Sequence, residues 1–170
     1  MNRNLLILGA GGHGQVVKET AEAMDVFTKI DFLDDKAAKA LGTFSDYEKL
    51  STTYAYAFVA LGNNQLRLEW IGHLERAGYI LPTLVHPTAY ISPSASIYPA
   101  TVVAAKAMVN THVVIEKGCI IGMGVIVDHD TMIGYGCHLD CGAIVKACCV
   151  VEAFRKVESS MVIRLSLIHI

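Results

Sequence analysis

The sequence predicts a small Rossmann-like parallel α/β domain followed by a parallel β-helix, and three observations carry that prediction. Every sixth residue from Val85 to Ile163 is aliphatic: Val85, Ile91, Ile97, Val103, Val109, Ile115, Ile121, Val127, Ile133, Leu139, Val145, Val151, Val157 and Ile163. The residue four places after each is mostly small, as at Ala89, Ala95, Ala107, Cys119 and Ala143. Ahead of the repeat, the run Asn4–Leu8 leads directly into Gly9-Ala10-Gly11-Gly12-His13-Gly14, a glycine-rich turn between a strand and a helix.

A period of six matches neither the 3.6-residue repeat of a helix nor the two-residue alternation of a strand. It matches a solenoid in which each hexad forms one short flat side and a turn. If three hexads close a triangular coil, residues three hexads apart stack at about 4.8 Å, the strand-to-strand spacing. The β-branched residues then point into the prism, the small ones fill its corners, and each coil buries its core against its neighbours. Arg155 and Met161 interrupt the small-residue column, which predicts the end of the regular prism or a cap there.

In chain order, Asn4–Leu8 reads as a buried strand and residues 14–24 as a helix. A second strand, Lys29–Leu33, ends in Asp34 and Asp35, about where an acidic residue meets a ribose in dinucleotide folds. A third strand over 56–60 leads through Leu61-Gly62-Asn63-Asn64 into a helix over 65–77, with Leu66, Trp70, Ile71 and Leu74 on its expected buried face. A last strand over 79–84 is expected to run into the first coil through His86-Pro87. The division is therefore residues 1–83 for the α/β domain and 84–164 for the β-helix. Residues 165–170, LSLIHI, read like a translated sequencing-library adapter and are expected to be a non-native tail, with the natural chain continuing beyond.

The glycine run has G-x-G-x-x-G spacing at a strand-to-helix turn, the context of a phosphate cradle. Glycines admit close backbone approach, and the helix behind them aims its first amides at negative charge. A nicotinamide dinucleotide is the obvious ligand. Yet about 80 residues suffice only for a half-sized mononucleotide unit, not the two halves a dinucleotide fold uses.

Composition narrows the classes further. A length of 170 residues allows one or two domains, and a net charge of −2 with no Lys/Arg block gives no sign of nucleic acid or an anionic membrane surface. Hydrophobic content is 53%, but no apolar run reaches the ~18 residues of a membrane-spanning helix, and the start does not read as a signal peptide. The five cysteines, Cys119, Cys137, Cys141, Cys148 and Cys149, are an odd number in a cytosolic-looking chain, which argues for free thiols. Cys119 and Cys137 are expected to stack inside the prism, and no cysteine is assigned a covalent role.

One charged triplet interrupts the apolar hexads. Asp128-His129-Asp130 follows Val127, and burying it would be costly. A histidine titrates near neutral pH and an adjacent carboxylate can orient its ring, which suits acid–base chemistry. Stacking by three hexads sets Asn110 over Asp128 and Lys146, Thr111 over His129, and His112 over Asp130.

Taken in order, GAGGHGQVV after a first strand, a strand ending in Asp34-Asp35, LGNN-x-x-R, LVHPTA and VDHD resemble one family along nearly the whole chain. It is the sugar O- and N-acetyltransferases that join a small nucleotide-binding α/β domain to a left-handed β-helix of hexapeptide repeats. The resemblance implies the left hand of the coil and direct acetyl transfer from acetyl-CoA to an amino or hydroxyl group of a sugar, expected to be nucleotide-linked. The alternatives are a sialic acid O-acetyltransferase and a non-catalytic nucleotide-sugar-binding trimer. It also implies His129 as catalytic base with Asp130 beside it, although either Asp128 or Asp130 could orient the ring. Gly9, Gly11, Gly12, His13, Gly14, Asp34, Asp35, Gly62, Asn63 and Asn110 would contact the sugar nucleotide, and His138 and Lys146 the acetyl donor. His13 is expected to face the same cleft as these residues if the α/β domain folds back on the coils. His112 stands where the family often has a smaller residue; His73 and His86 are read as structural. His112, His129 and His138 do not match the spacing of the zinc hydratases built on such coils, so no metal is expected. A cytoplasmic homotrimer with its active site between subunits completes what the resemblance implies.

Overall fold

The computed structural model describes residues 2–164; the expected foreign tail lies outside them. Strand β1 (Asn4–Leu8) is the centre of a parallel sheet between β2 (Lys29–Leu33) and β3 (Tyr56–Val59). Leu5 to Leu8 are all fully buried, as expected of a strand covered on both faces. On one face helix α1 (Gly12–Ala23) places Val17 and Ala21 against Leu5, Ile7 and Phe58. On the other, helix α3 (Asn64–Arg76) packs Ile71 and Leu74 against Leu6, Leu8 and Val59. Between β2 and β3 the chain makes a 3-10 turn at Phe44–Asp46 and a short helix α2 (Tyr47–Leu50), closed by a capping box between Thr43 and Asp46.

Two local expectations are corrected. The strand expected over 79–84 does not form as such: Tyr79 and Leu81 are buried, but only Ile80 bridges to Tyr56, Pro82 has no amide to continue the ladder, and Leu84 belongs instead to the first strand of the prism. On α3, Leu66 is 41% exposed while Arg67 is fully buried in its place.

The prism begins at Leu84. Its face I holds β4 (Leu84–Val85), β7 (Val102–Val103), β10 (Ile120–Ile121), β13 (His138–Leu139) and β16 (Lys156–Val157). Face II holds β5 (Tyr90–Ile91), β8 (Met108–Val109), β11 (Ile126–Val127), β14 (Ile144–Val145) and β17 (Val162–Ile163). Face III holds β6 (Ser96–Ile97), β9 (Val114–Ile115), β12 (Met132–Ile133) and β15 (Val150–Val151). Pairing is parallel and in step, Ile121 beside Val103 and Leu139, which is the three-hexad stack. Every sixth residue from Val103 to Val157 is fully buried, and Cys119 and Cys137 lie inside with their thiols donating to the Gly134 and Glu152 carbonyls. The ladder runs past Arg155 and Met161 to β17, where Ile163 is only partly covered.

The corners have their own period. Ala100, Lys106, His112, Gly118, Gly124, Asp130, Gly136, Gly142, Cys148, Phe154 and Ser160 all adopt left-handed backbone, with φ between 54° and 73°. That conformation turns the chain from one face to the next; a non-glycine residue there carries strain on the order of 1 kcal/mol. Ladder bonds to the coils above and below hold it in place, as in the Asp130 amide donating to the Thr111 carbonyl at 3.0 Å.

The α/β domain folds back on face I. Leu84, Val102 and Ile120, on the outside of that face, join the same apolar cluster as Val17, Ala21 and Leu5. Arg67 locks the contact. Its Nε donates to the Gly118 carbonyl at 2.8 Å and Nη2 to the Gly136 carbonyl at 2.9 Å, both at prism corners, while Nη1 donates to the Leu61 carbonyl at 2.8 Å. Burial lowers its pKa to about 10.

Candidate active site

The Asp128-His129-Asp130 triplet sits at the corner between faces II and III, with His129 and Asp130 exposed and Asp128 half-buried. The His129 ring donates through Nδ1 to Asp130 Oδ2 at 2.7 Å, and His112 Nδ1 lies 3.2 Å from the other Asp130 oxygen. Because a carboxylate accepts, the proton stays on Nδ1 and the Nε2 lone pair of His129 is left for chemistry. Those contacts, His129 first and His112 second, hold the Asp130 carboxyl below its ordinary pKa, so it remains charged. Asp128 is used differently: it accepts the His129 backbone amide at 2.9 Å and the Asn110 side-chain amide at 3.2 Å. Of the two candidates for orienting the ring, Asp130 makes the contact and Asp128 shapes the turn.

The glycine loop forms a second centre. At Gly9, φ is +105° and an added Cβ would meet the Ala60 carbonyl oxygen at 2.8 Å; at Gly14 it would meet the Gly9 oxygen at 2.0 Å. Gly11 and Gly12 face open space, and Gly11, the N-cap of α1, supplies no side-chain cap, so the first amides of the helix are left for a ligand. Asp34 braces this loop, accepting from the Ala10 amide at 2.8 Å and from the Lys36 and Ala37 amides. The Ala10 bond is the main reason its pKa is lowered. Asp35 likewise accepts the Phe44 amide at 2.9 Å, and Asn63 caps α3 by accepting the Leu66 amide at 2.9 Å. These residues hold the loops in shape, a task the ribose expectation did not include. A groove of about 490 Å³ opens beside the loop, with Gln15, Lys18, Phe32 and Lys39 on its walls.

His13 meets His138 of β13, their rings stacked with centroids 6.4 Å apart. Among the described residues, His13 Nε2 and His138 Nδ1 are the buried side-chain polar atoms without a hydrogen-bond partner. Desolvation, with the neighbouring His138, lowers the His13 pKa to about 4, and burial lowers that of His138 as well. Both rings are therefore neutral at pH 7. They line a small cavity of about 100 Å³ between α1 and face I, with Gly122 and Asp140.

In a triangular coil, face I lies opposite the corner where faces II and III meet. The His13–His138 pair and the His129–Asp130 pair thus stand on opposite sides of the same prism. Asn110 and Lys146 lie on the His129 side, stacked above and below Asp128; Gly62 lies with Arg67 on the face I side. The expectation that His13 shares a cleft with His129 fails within one chain: the domain folds back, but onto the other side. Lys146 and His138, assigned together to the acetyl donor, are separated in the same way.

Two residues went unrecognised in the sequence. Arg67 appeared only as the last letter of LGNN-x-x-R, with no sign of its burial. Cys148 stacks three hexads beyond Asp130, and its backbone amide donates to the His129 carbonyl at 3.0 Å. The six-residue register alone carries the signal for that stacking.

A left-handed parallel β-helix with an exposed histidine–carboxylate pair at one corner, and a glycine-loop α/β domain on the opposite face, defines a class. The chain belongs to the hexapeptide-repeat acetyltransferase family related to the PglB- and PerB-type sugar N-acetyltransferases. Residues 4–74 match the PglD N-terminal domain family. The acetyltransferase domain of PglB from Neisseria gonorrhoeae FA1090 is 32% identical, with a TM-score of 0.87 over 96% of this chain and 92% of that one. The same domain has been solved in complex with acetyl coenzyme A. PerB from Caulobacter crescentus, in complex with CoA and GDP-perosamine, is 25% identical, with a TM-score of 0.76 over 95% of this chain and 91% of that one. The UDP-N-acetylbacillosamine N-acetyltransferase of Bacillus subtilis (strain 168) is 30% identical over 105 residues, 56% of this chain and 48% of that protein. The chain thus spans about half the length of this curated relative. Among the described residues no helix is long and apolar enough to cross a membrane.

Proposed function

We propose that the chain transfers the acetyl group of acetyl-CoA to an amino group of a nucleotide-linked sugar, with His129 as general base. The observation that carries this reading is the 2.7 Å bond from His129 Nδ1 to Asp130, which leaves Nε2 free in the exposed corner. In the reaction the sugar amine attacks the thioester carbonyl. The C–N bond forms, Nε2 takes the amine proton, the C–S bond breaks, and the CoA sulfur leaves as a thiolate to be protonated. Asp130 stabilises the imidazolium that forms. Neither imidazole protonation nor the loss of CoA needs a covalent acyl-enzyme.

The glycine loop and the first amides of α1 receive the phosphates of the sugar nucleotide, and Lys18 and Lys39 add positive charge along the adjoining groove. His13 contacts the sugar. His138 holds the acetyl donor, with Lys146 contributing from the His129 corner of another subunit; Asn110 supports the base through Asp128. The separation of the two half-sites supports a homotrimer, because one chain's corner reaches another chain's face I only across a subunit interface. Exposed Tyr90, Met108 and Ile126 along face II, and Met132 and Val150 along face III, offer the apolar surface such a contact needs. Five free thiols and a cytosolic acetyl donor favour a cytoplasmic location.

The direct test is release of CoA thiol from acetyl-CoA with a panel of UDP- and GDP-linked amino sugars and free sialic acid. Turnover with a nucleotide amino sugar is expected. Turnover with sialic acid alone would replace N- by O-acetylation, and silence from a chain that still binds the sugar nucleotide would refute the enzymatic reading.

A further inference from the structure

The corner that carries His129 is more than an acid–base pair. His112, Asp130 and Cys148 occupy the same left-handed position on three successive coils, so their side chains leave the prism one above another. A ring nitrogen of His129, a carboxylate oxygen of Asp130 and Cys148 Sγ all lie within 4.8 Å of one another, and all three residues are exposed. His112 brings a second imidazole, its Nδ1 3.2 Å from Asp130. We infer that this corner binds one thiophilic divalent cation, Zn²⁺ above all, and that the bound ion switches acetyl transfer off.

The donor set selects the ion. Imidazole nitrogen with thiolate sulfur suits zinc and its transition-metal neighbours, whereas magnesium and calcium take oxygen ligands. Tetrahedral zinc binds sulfur at about 2.3 Å and nitrogen at about 2.0–2.1 Å, which sets its donors roughly 3.5 Å apart. Drawing the cluster in from 4.8 Å therefore takes only rotation of exposed side chains. The backbone beneath them is already held, through the Cys148 amide to the His129 carbonyl and the Asp130 amide to the Thr111 carbonyl, both at 3.0 Å. His129, Asp130 and Cys148 supply three ligands; His112 or water completes the fourth.

Coordination through either nitrogen of His129 removes the base. Zinc on Nε2 takes the lone pair that would accept the proton, and zinc on Nδ1 leaves the ring's one proton on Nε2, so that no lone pair remains to accept another. The inhibitory half of the inference rests on the assignment of His129 as base; the binding half does not.

The two halves separate experimentally. Titrating the metal-free protein with Co²⁺, and following thiolate-to-cobalt charge-transfer absorption, reads binding without any substrate. One ion per chain is expected, displaced by Zn²⁺, with the band lost in Cys148→Ser and weakened in His112→Ala. In the acetyl-transfer assay, Zn²⁺ is expected to inhibit reversibly, with EDTA restoring the rate. Cys148→Ser should keep the uninhibited rate and need about 10-fold more Zn²⁺ or beyond, the scale on which ligand-shell changes act. Absence of the band, or a band that persists in Cys148→Ser, overturns the site. A band in the wild-type protein without inhibition of an active enzyme overturns the switch while leaving the site. Should the chain show no acetyl transfer, the cobalt titration alone still decides whether the site exists.

Discussion

Replacing Arg67 with methionine removes the cation that fastens the α/β domain to the prism while keeping an unbranched, buried side chain. In the wild type the guanidinium is fully buried and donates to two buried corner carbonyls, Gly118 at 2.8 Å and Gly136 at 2.9 Å. Among the described residues no carboxylate is one of its hydrogen-bond partners. Each carbonyl left without a donor costs about 1–3 kcal/mol, so the pair loses roughly 2–6 kcal/mol. Removing a desolvated charge gives part of that back, and a net destabilisation of about 3 kcal/mol is expected. Urea denaturation reads it with two probes. Trp70, the single tryptophan, packs with Phe44 and Tyr47 inside the α/β domain, so its fluorescence follows that domain, while far-UV circular dichroism also follows the coils. The fluorescence midpoint should fall below the circular dichroism midpoint as the domain detaches first. Coincident transitions with a loss under about 1 kcal/mol would refute the argument that these bonds hold the domain down.

Three further outcomes follow from the site. His129→Ala should leave the fold intact and lower kcat about 100-fold or more, the scale of general-base catalysis; a near-wild-type rate with both substrates saturating removes His129 from the mechanism. Gly11→Val should raise KM for the sugar nucleotide with little change in the urea midpoint, because the position opens onto free space. Unchanged KM would place the phosphates elsewhere, and tight NADH binding by the wild type would restore the dinucleotide reading. Stability should be level above about pH 6.5 and fall as pH drops towards 4, since His13 stays neutral in the fold, at a pKa of about 4, but takes up a proton once unfolded. The loss amounts to at most about 3 kcal/mol, His138 acts in the same sense, and His13→Gln should flatten the slope in urea titrations across that window.

The coils were legible because every hexad faces the same surroundings, so one pattern repeats until chance is excluded. Asp128-His129-Asp130 stood out for the opposite reason, charge where the pattern demands none. What escaped lay between distant segments. Arg67 looks like any surface arginine on α3 until the corners of two coils are laid against it. Asp34 carries the acidic signature of a ribose contact, yet its oxygens are taken by the amides of the loop it shapes. Residues 79–83 have the apolar content of a strand, and one proline denies them the ladder. The two half-sites read as one cleft because a linear sequence does not say which side of a prism a residue occupies.

The solenoid also acts as a ruler with fixed graduations. Adding one hexad would carry everything beyond it a third of the way around the axis and exchange the three faces. Adding three would restore every face and corner but raise the remainder by one strand spacing, about 4.8 Å. The height of His129 above the plane where the α/β domain docks can therefore change only in whole coils. A change in the reach between acceptor and donor finer than one coil has to come from side chains and loops, which makes the corner residues, rather than the length of the prism, the place where substrate geometry is tuned.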